Sequence, residues 1–309
     1  MSKISVLVAT YNNEKHVGEL LKSVSDNKFD GAEIEILIRD DCSSDSTYEK
    51  LEEFVSNNPG ARIIDSAGVR LGAVGNFFRL LFESDADYFM FCDADDFWFA
   101  DKVEKTFDLM LKIEDGGDKP VLIHTDLSVA DSELNIISDS LFKYEKLSPE
   151  RKSLKNLIVQ NNVTGCTVMI NGQFKNYLTE IPEHAVMHDW WLALIAAAFG
   201  KIGILYEPTM LYRQHGKNQI GAYNAGNLLD SARRLSDRKR NKLIYESMFL
   251  QAESFAKTYR SLLTAEQYET VFLFGEMKKF KKLKKILTIF TKRYFKNSFL
   301  RNVGQIIAI

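Results

Sequence analysis

The sequence predicts an α/β fold with a mostly parallel central sheet flanked by helices, and three observations predict it. Short runs rich in β-branched and aromatic residues alternate with amphipathic stretches through the first half of the chain. Those stretches repeat apolar residues at i, i+3, i+4 and i+7, the period of a helix with one buried face. Polar and acidic residues follow the strand candidates directly, as they do where ligands gather at the carboxyl edge of an open sheet.

Strands are expected over 4–9, 34–39, 61–65, 88–92 and 121–124. Helices fall between them: one on Val17, Leu20, Leu21 and Val24, one on Tyr48, Leu51, Phe54 and Val55, one on Val74, Phe77, Phe78 and Leu81. Ser44, Asp45 and Ser46 stand before the second helix and can accept from its unpaired N–H groups. From about Lys152 the pattern is less regular, with a helix at 154–159, a strand at 167–170, an apolar helix after Asp189 and a strand at 202–206. Beyond Asn227 it reads as helix. No repeat or Pro/Gly linker interrupts the chain, so residues 1–225 are expected to form one catalytic domain. Its nucleotide-binding half would be about 1–125 and its acceptor half about 126–225, with a helical extension over 226–309.

Composition narrows the class. The chain has 309 residues, 45% hydrophobic and 27% charged, with 17 Gly and 5 Pro, which excludes disorder and collagen and leaves a large enough core for a globular enzyme. Cys42, Cys92 and Cys166 have no metal-binding or disulfide spacing, so a reduced cytosolic setting is expected. The apolar run 4–9 is too short for a signal peptide, and 190–199 is half of what a bilayer span needs. The net charge of −2 carries no nucleic-acid signal. That sum hides its parts, because residues 1–275 hold 30 basic and 41 acidic side chains while 276–309 hold ten basic and one acidic. In the tail, Lys278, Lys279, Lys281, Lys282, Lys284 and Lys285 flank Phe280, Leu283, Ile286, Leu287 and Phe290, a basic amphipathic helix suited to an anionic membrane surface. A helix packed on the domain with solvated lysines fits the same pattern.

The strand ends carry the chemistry. The first ends in Thr10, Tyr11 and Asn12, the second in Asp40, Asp41, Cys42 and Ser43, the fourth in Asp93, Ala94, Asp95 and Asp96, the fifth in His124, Thr125 and Asp126. An Asp-x-Asp turn after a buried strand suits Mg²⁺ or Mn²⁺ holding a diphosphate, because hard cations take oxygen ligands. An acidic turn that caps the next helix is the plainer reading. Asp40 and Asp41 could accept from a pyrimidine imide and from ribose hydroxyls, and Arg70 could meet the diphosphate. Asp189, at the start of an apolar helix beside His188, Trp190 and Trp191, could be a general base next to a sugar-stacking wall. A helix cap with core tryptophans is equally consistent with that motif. His215 could be a metal ligand or a phosphate donor.

Val6-Leu7-Val8-Ala9-Thr10-Tyr11-Asn12-Asn13, Arg39-Asp40-Asp41-Cys42-Ser43-Ser44-Asp45-Ser46-Thr47 and Asp93-Ala94-Asp95-Asp96 followed by Asp101-Lys102-Val103 together resemble glycosyltransferase family 2, which has the GT-A fold. The resemblance implies that Thr10, Tyr11, Asp40, Asp41, Arg70 and Asp93 contact the nucleotide. It implies that Asp95, with Asp93 and His215, holds Mg²⁺ or Mn²⁺, and that Asp189 is the base of an inverting transfer, with His188, Trp190 and Trp191 against the acceptor. Ala9 stands where the family often has proline, and the Gln-x-x-Arg-Trp motif of processive synthases is missing, which implies transfer of one sugar at a time. Gly72-Ala73-Val74-Gly75-Asn76-Phe77, His188-Asp189-Trp190-Trp191 and Tyr212-Arg213-Gln214-His215 look most like bacterial rhamnosyltransferases that build surface polysaccharide from dTDP-L-rhamnose. The expected partners are therefore a nucleotide diphosphate sugar, a glycan or lipid-linked acceptor, and the inner leaflet reached by the tail, with no nucleic acid. A UDP-hexose donor, a haloacid-dehalogenase-like phosphatase with Asp93 as nucleophile, and a non-catalytic sugar-binding protein are the competing readings.

Overall fold

The computed structural model describes residues 1–215, 221–222 and 238–309. In chain order the elements are β1 (Ser2–Thr10), α1 (Val17–Ser25), β2 (Ala32–Asp40), α2 (Thr47–Asn57), β3 (Ala61–Ile63), α3 (Gly72–Glu83), β4 (Tyr88–Asp93), β5 (Phe97–Trp98) and α4 (Lys102–Glu114). There follow β6 (Val121–Ala130), β7 (Ile136–Ser138), α5 (Leu141–Tyr144), α6 (Leu154–Leu157), β8 (Val168–Asn171), α7 (His188–Phe199) and β9 (Lys201–Arg213). The last are α8 (Arg238–Thr258), α9 (Ala265–Glu276), α10 (Lys282–Lys292) and α11 (Phe299–Ala308). The expected boundary at 225/226, and the helical reading over 227–237, lie outside the described residues.

Apolar residues alternate along the central strands, so each strand feeds two cores. On β1, Leu7 faces one core while Ile4, Val6 and Val8 face the other, all without exposed surface. On β4, Phe89 and Phe91 go to the first core, Met90 and Cys92 to the second. The strand order is β3-β2-β1-β4-β8-β6-β9-β5, with β7 on β6. The first four strands are parallel, and their register sets Thr10 beside Asp40 and Ala9 beside Asp93. Their carboxyl ends therefore share one edge.

The second half is mixed. β8 enters antiparallel between β4 and β6, while β6 and β9 run parallel to each other. β6 extends to Ala130 and β9 to Arg213, well past the expected ends, because each strand gives the other a partner along its length. His124, Thr125 and Asp126 consequently lie buried inside β6 and not at a strand end. Asp126 accepts from Ser140 Oγ and from the N–H groups of Leu141 and Phe142, so its charge sits at the start of α5. The helix expected over 154–159 is the single turn of α6, begun by Ser153, whose hydroxyl accepts from Asn156 N–H.

The C-terminal helices are joined to α7. Trp191 lies edge-on to Phe255, ring centres 5.3 Å apart, and its Nε1 donates to the Tyr259 hydroxyl at 3.3 Å. Gln267 Nε2 donates to the Ala198 carbonyl at 2.7 Å. No helix among the described residues is long and apolar enough to cross a membrane. Since Trp191 fills the space between α7 and α8, Trp191→Ala is expected to lower unfolding stability by about 3–5 kcal/mol in urea titration. A loss under about 1 kcal/mol would mean that the helices pack independently of α7.

Candidate active site

The rim at β1 and β2 is built from acids that hold the loops. Asp40 accepts from Thr10 Oγ1 at 2.8 Å, from Ser43 N–H at 2.7 Å and from the Ser43 hydroxyl. Asp41 accepts from Arg39 Nη1 at 3.0 Å and from the N–H groups of Leu71 and Gly72 at 2.7 and 2.8 Å. Gly72 has φ +68°, the left-handed region that favours glycine, and this turn aims its N–H at Asp41. Each oxygen of the two carboxylates already accepts a bond inside the protein. These bonds shape the rim and take up part of the acceptor capacity that the sequence suggested was open. What stands exposed there is Tyr11, with the Arg70 guanidinium 3.8 Å above its ring and Arg70 Nε 3.8 Å from Asp41.

At the end of β4 the acids are closer together. Burial, then the charges of Asp95 and Asp189, push Asp93 up to about 7. Asp95 Oδ2 lies 2.8 Å from His215 Nε2, and the His215 ring stacks on His16 at 5.3 Å. Asp96 is fully buried and raised well above the carboxylate range by burial and by the charges of Asp95 and Asp93. One of its oxygens accepts from Arg213 N–H at 3.2 Å. Arg213 also donates from Nε to the Asp95 carbonyl at 2.8 Å and from Nη1 to the Ser132 carbonyl at 2.6 Å, and it pairs with Glu19. The end of β9 thus clamps the acidic turn, two residues before His215.

Asp189 occupies the first turn of α7. Met187 holds the cap position, so Asp189 does not cap the helix. It accepts from Trp190 N–H at 2.6 Å, and burial pushes it up to about 7 against the opposing pull of the Trp190 and Gly165 N–H groups and the Asn161 side chain. Gly165 permits this packing, since a Cβ there would stand 2.8 Å from His188 Nε2 and 3.5 Å from Asp189 Oδ2. His188 was expected at the acceptor, yet it is buried against Phe77 and Phe91, ring centres 4.0 and 5.0 Å away, and burial holds it neutral, down to about 3. Trp190 and Trp191 are also core residues, with Trp190 Nε1 donating to the Leu157 carbonyl at 2.6 Å. The reason is that α7 is apolar around its whole circumference, so neither indole is left to form a sugar-stacking wall.

Residues 5–178 match glycosyl transferase family 2. The chain belongs to that family. It is 30% identical over 227 residues to the dTDP-rhamnosyl transferase RfbG of Shigella flexneri, covering 70% of this chain and 74% of the relative. Its fold is similar to that of Staphylococcus aureus TarS 1–349 in complex with UDP-GlcNAc, at 16% identity and TM-score 0.54, over 99% of this chain and 90% of the other. It is also similar to the mannosyltransferase PcManGT of Pyrobaculum calidifontis in complex with GDP-Man and Mn²⁺, at 14% identity and TM-score 0.54, over 99% and 84%. The fold is GT-A, and the phosphatase reading of Asp93 is set aside by the family match.

In this family 2 transferase, the carboxylates of Asp93 and Asp95 are the oxygen ligands that Mn²⁺ or Mg²⁺ takes, and the like charge that helps raise Asp93 is one that a cation would relieve. Among the described residues, however, the group whose ligand atoms lie within 4.8 Å of one another is Asp93, Asp96 and Cys166, not Asp93, Asp95 and His215, and a buried thiol is a poor ligand for a hard cation. It packs beside Lys102, buried and pushed down to about 8, whose Nζ donates to Thr209 Oγ1 at 3.1 Å. Sequence reasoning quoted Asp96, Lys102 and Arg213 within its motifs but gave none of them a role of its own. Nothing in the local pattern marks Lys102 as buried, since it reads as an ordinary first-turn lysine.

The buried acid at 189 has a consequence for stability. Its folded value near 7 lies above the usual carboxylate value of about 3.9, so the native state keeps a proton that the unfolded chain loses between those values. This group's contribution therefore falls as pH rises through that window and levels above 7. Asp189→Asn is expected to gain thermal stability relative to the parent between about pH 5 and pH 7, followed by Tm at several pH values. A difference in Tm that does not change with pH would place Asp189 in an ordinary solvated setting.

Proposed function

We propose that this chain moves one sugar per cycle from a nucleotide diphosphate sugar, with dTDP-L-rhamnose as the favoured donor, to a hydroxyl of a glycan or lipid-linked acceptor of the cell surface, with inversion. The observation that carries the proposal is Asp189 at the start of α7, buried and raised to about 7, with its charge among those that raise Asp93 on β4. An acid poised near pH 7 can take a proton from an acceptor hydroxyl as the bond to the anomeric carbon forms. RfbG supports the choice of rhamnose.

Each side chain then has a role. Tyr11 and Arg70 offer an aromatic face and a cation to the nucleotide, on a rim that Thr10, Asp40 and Asp41 hold in shape. Asp95, Asp93 and His215 would hold the divalent cation, which when bound neutralises the charge of the departing diphosphate. Arg213 keeps Asp95 and His215 in one orientation by fixing the turn from behind. Asp189 receives the proton, and the packed His188, Trp190 and Trp191 exclude water from its inner side. The catalytic domain is read as 1–225, with 226–309 as an extension. We place the enzyme on the inner face of the plasma membrane, since α10 leaves Leu283, Leu287 and Phe290 exposed among its lysines.

A panel of dTDP-L-rhamnose, UDP-glucose, UDP-N-acetylglucosamine and GDP-mannose, titrated calorimetrically with Mn²⁺ or with chelator, tests this. The expected result is binding of dTDP-L-rhamnose that chelator, or Asp95→Ala, weakens at least about tenfold. A UDP sugar that binds best would overturn the donor assignment. No binding of any donor would overturn the transferase reading.

A further inference from the structure

A groove of about 990 Å³ opens between α8, α10 and α11, among residues that the proposed transfer does not use. Tyr245, Phe249, Leu250, Ile306 and Ala308 give it an apolar floor. Lys242, Lys278, Lys282 and Lys285 stand around it, against one acid, Glu246. The lining is part polar and part apolar, and lysines around an apolar floor suit an anion that carries a hydrophobic body.

The lysines are not equally engaged. Lys278 pairs with Glu253, and Lys282 donates to the Ile307 carbonyl at 2.9 Å. Lys242 reaches Glu246 at 3.7 Å with a side chain 75% exposed. Lys285 lies over the Phe249 ring with its Nζ 5.2 Å from the centre. Burial holds its ammonium below the usual lysine value; the Glu246 carboxylate opposes that and the positive charge of Lys242 adds to it. A further anion between Lys242 and Lys285 would offset their mutual repulsion more fully than Glu246 does alone. Roughly 140° around α10 from Lys282 and Lys285, the exposed Leu283, Leu287 and Phe290 form a second apolar surface. Phe299 and Leu300 at the start of α11 are exposed as well.

We propose that the groove takes the phosphate headgroup of an acidic bilayer lipid between Lys242 and Lys285, with the upper part of its acyl chain against Phe249 and Ile306. The inference rests on the membrane-surface reading above and adds a defined single-lipid site to it. In that arrangement Leu283, Leu287 and Phe290 enter the boundary between headgroups and chains, and the lysines meet the negative leaflet.

Two measurements on the full chain separate the groove from the surface. The first is co-sedimentation with vesicles of phosphatidylcholine, alone or with phosphatidylglycerol. The second is calorimetric titration with soluble dihexanoyl phosphatidylglycerol, with inorganic phosphate as control. The parent is expected to bind the mixed vesicles and the short-chain lipid, and to bind phosphate at least about tenfold more weakly. The double variant Lys242→Glu, Lys285→Glu should lose the short-chain lipid by at least about tenfold, whereas Leu283→Ser, Leu287→Ser should keep it and lose the vesicles. Vesicle binding without short-chain lipid binding would overturn the groove and leave the membrane reading standing. Loss of both in the parent would overturn both. Phosphate binding as tight as the lipid would make the site one for free phosphate and sink the lipid assignment, as would short-chain binding unchanged in the double lysine variant.

Discussion

Six aspartates crowd the carboxyl edge of this sheet, and much of the surrounding structure is concerned with holding like charges together in a partly buried place. Asp40 is satisfied by Thr10 and Ser43 and Asp41 by Arg39 and two backbone N–H groups, whereas Asp96 has the Arg213 N–H on one oxygen and no such donor on the other. Asp95 has His215. Asp93, Asp96 and Asp189 are all raised by burial, Asp93 and Asp189 to about 7. A carboxyl group that is expensive to ionise is a stronger base once ionised, and one that faces a second acid favours a cation between them. Acids that hold loops in place and acids raised by burial thus sit on the same edge.

The catalytic helix connects this edge to the far end of the molecule. Asp189 lies at the start of α7, and Trp191 two residues on packs against Phe255 and Tyr259 of α8. α8 also lines the lysine-rimmed groove through Tyr245 and Phe249. Val186, just before α7, donates its N–H to Gln251 of α8 at 2.8 Å. One helix therefore buttresses the proposed base on one side and lines the lysine-rimmed groove on the other. The near-zero net charge of the chain hides this arrangement, since an acidic first part and a basic tail cancel in the sum.

Much of this was legible in the sequence, for physical reasons that differ from element to element. β1, β2 and β4 are parallel strands buried over most of their later residues, so their apolar runs there are continuous and the polar residue that ends each run marks the sheet edge. β6 is buried along all ten residues even though it contains His124, Thr125 and Asp126, so polarity there marked nothing and the strand was cut short. His188, Trp190 and Trp191 could not be assigned by type, because an aromatic beside an acid has the same pattern in a core and in a sugar subsite. Burial decides between them, and it comes from α8 and from the strands, far away in sequence. Arg213 illustrates the same limit: its four partners are drawn from Asp95, Asp96, Ser132 and Glu19, and no local pattern brings those together.

The central claim is that Asp189, held near neutrality by burial, removes the proton from the acceptor. The most direct test is the pH dependence of kcat for sugar transfer, in the parent and in Asp189→Asn, with donor binding measured in both. The account predicts a kcat that rises with pH through about 7 in the parent and falls by at least about a hundredfold in Asp189→Asn, with donor affinity kept. Normal transfer by Asp189→Asn, or a parent profile that is flat from pH 6 to 8 while chemistry limits the rate, would contradict it.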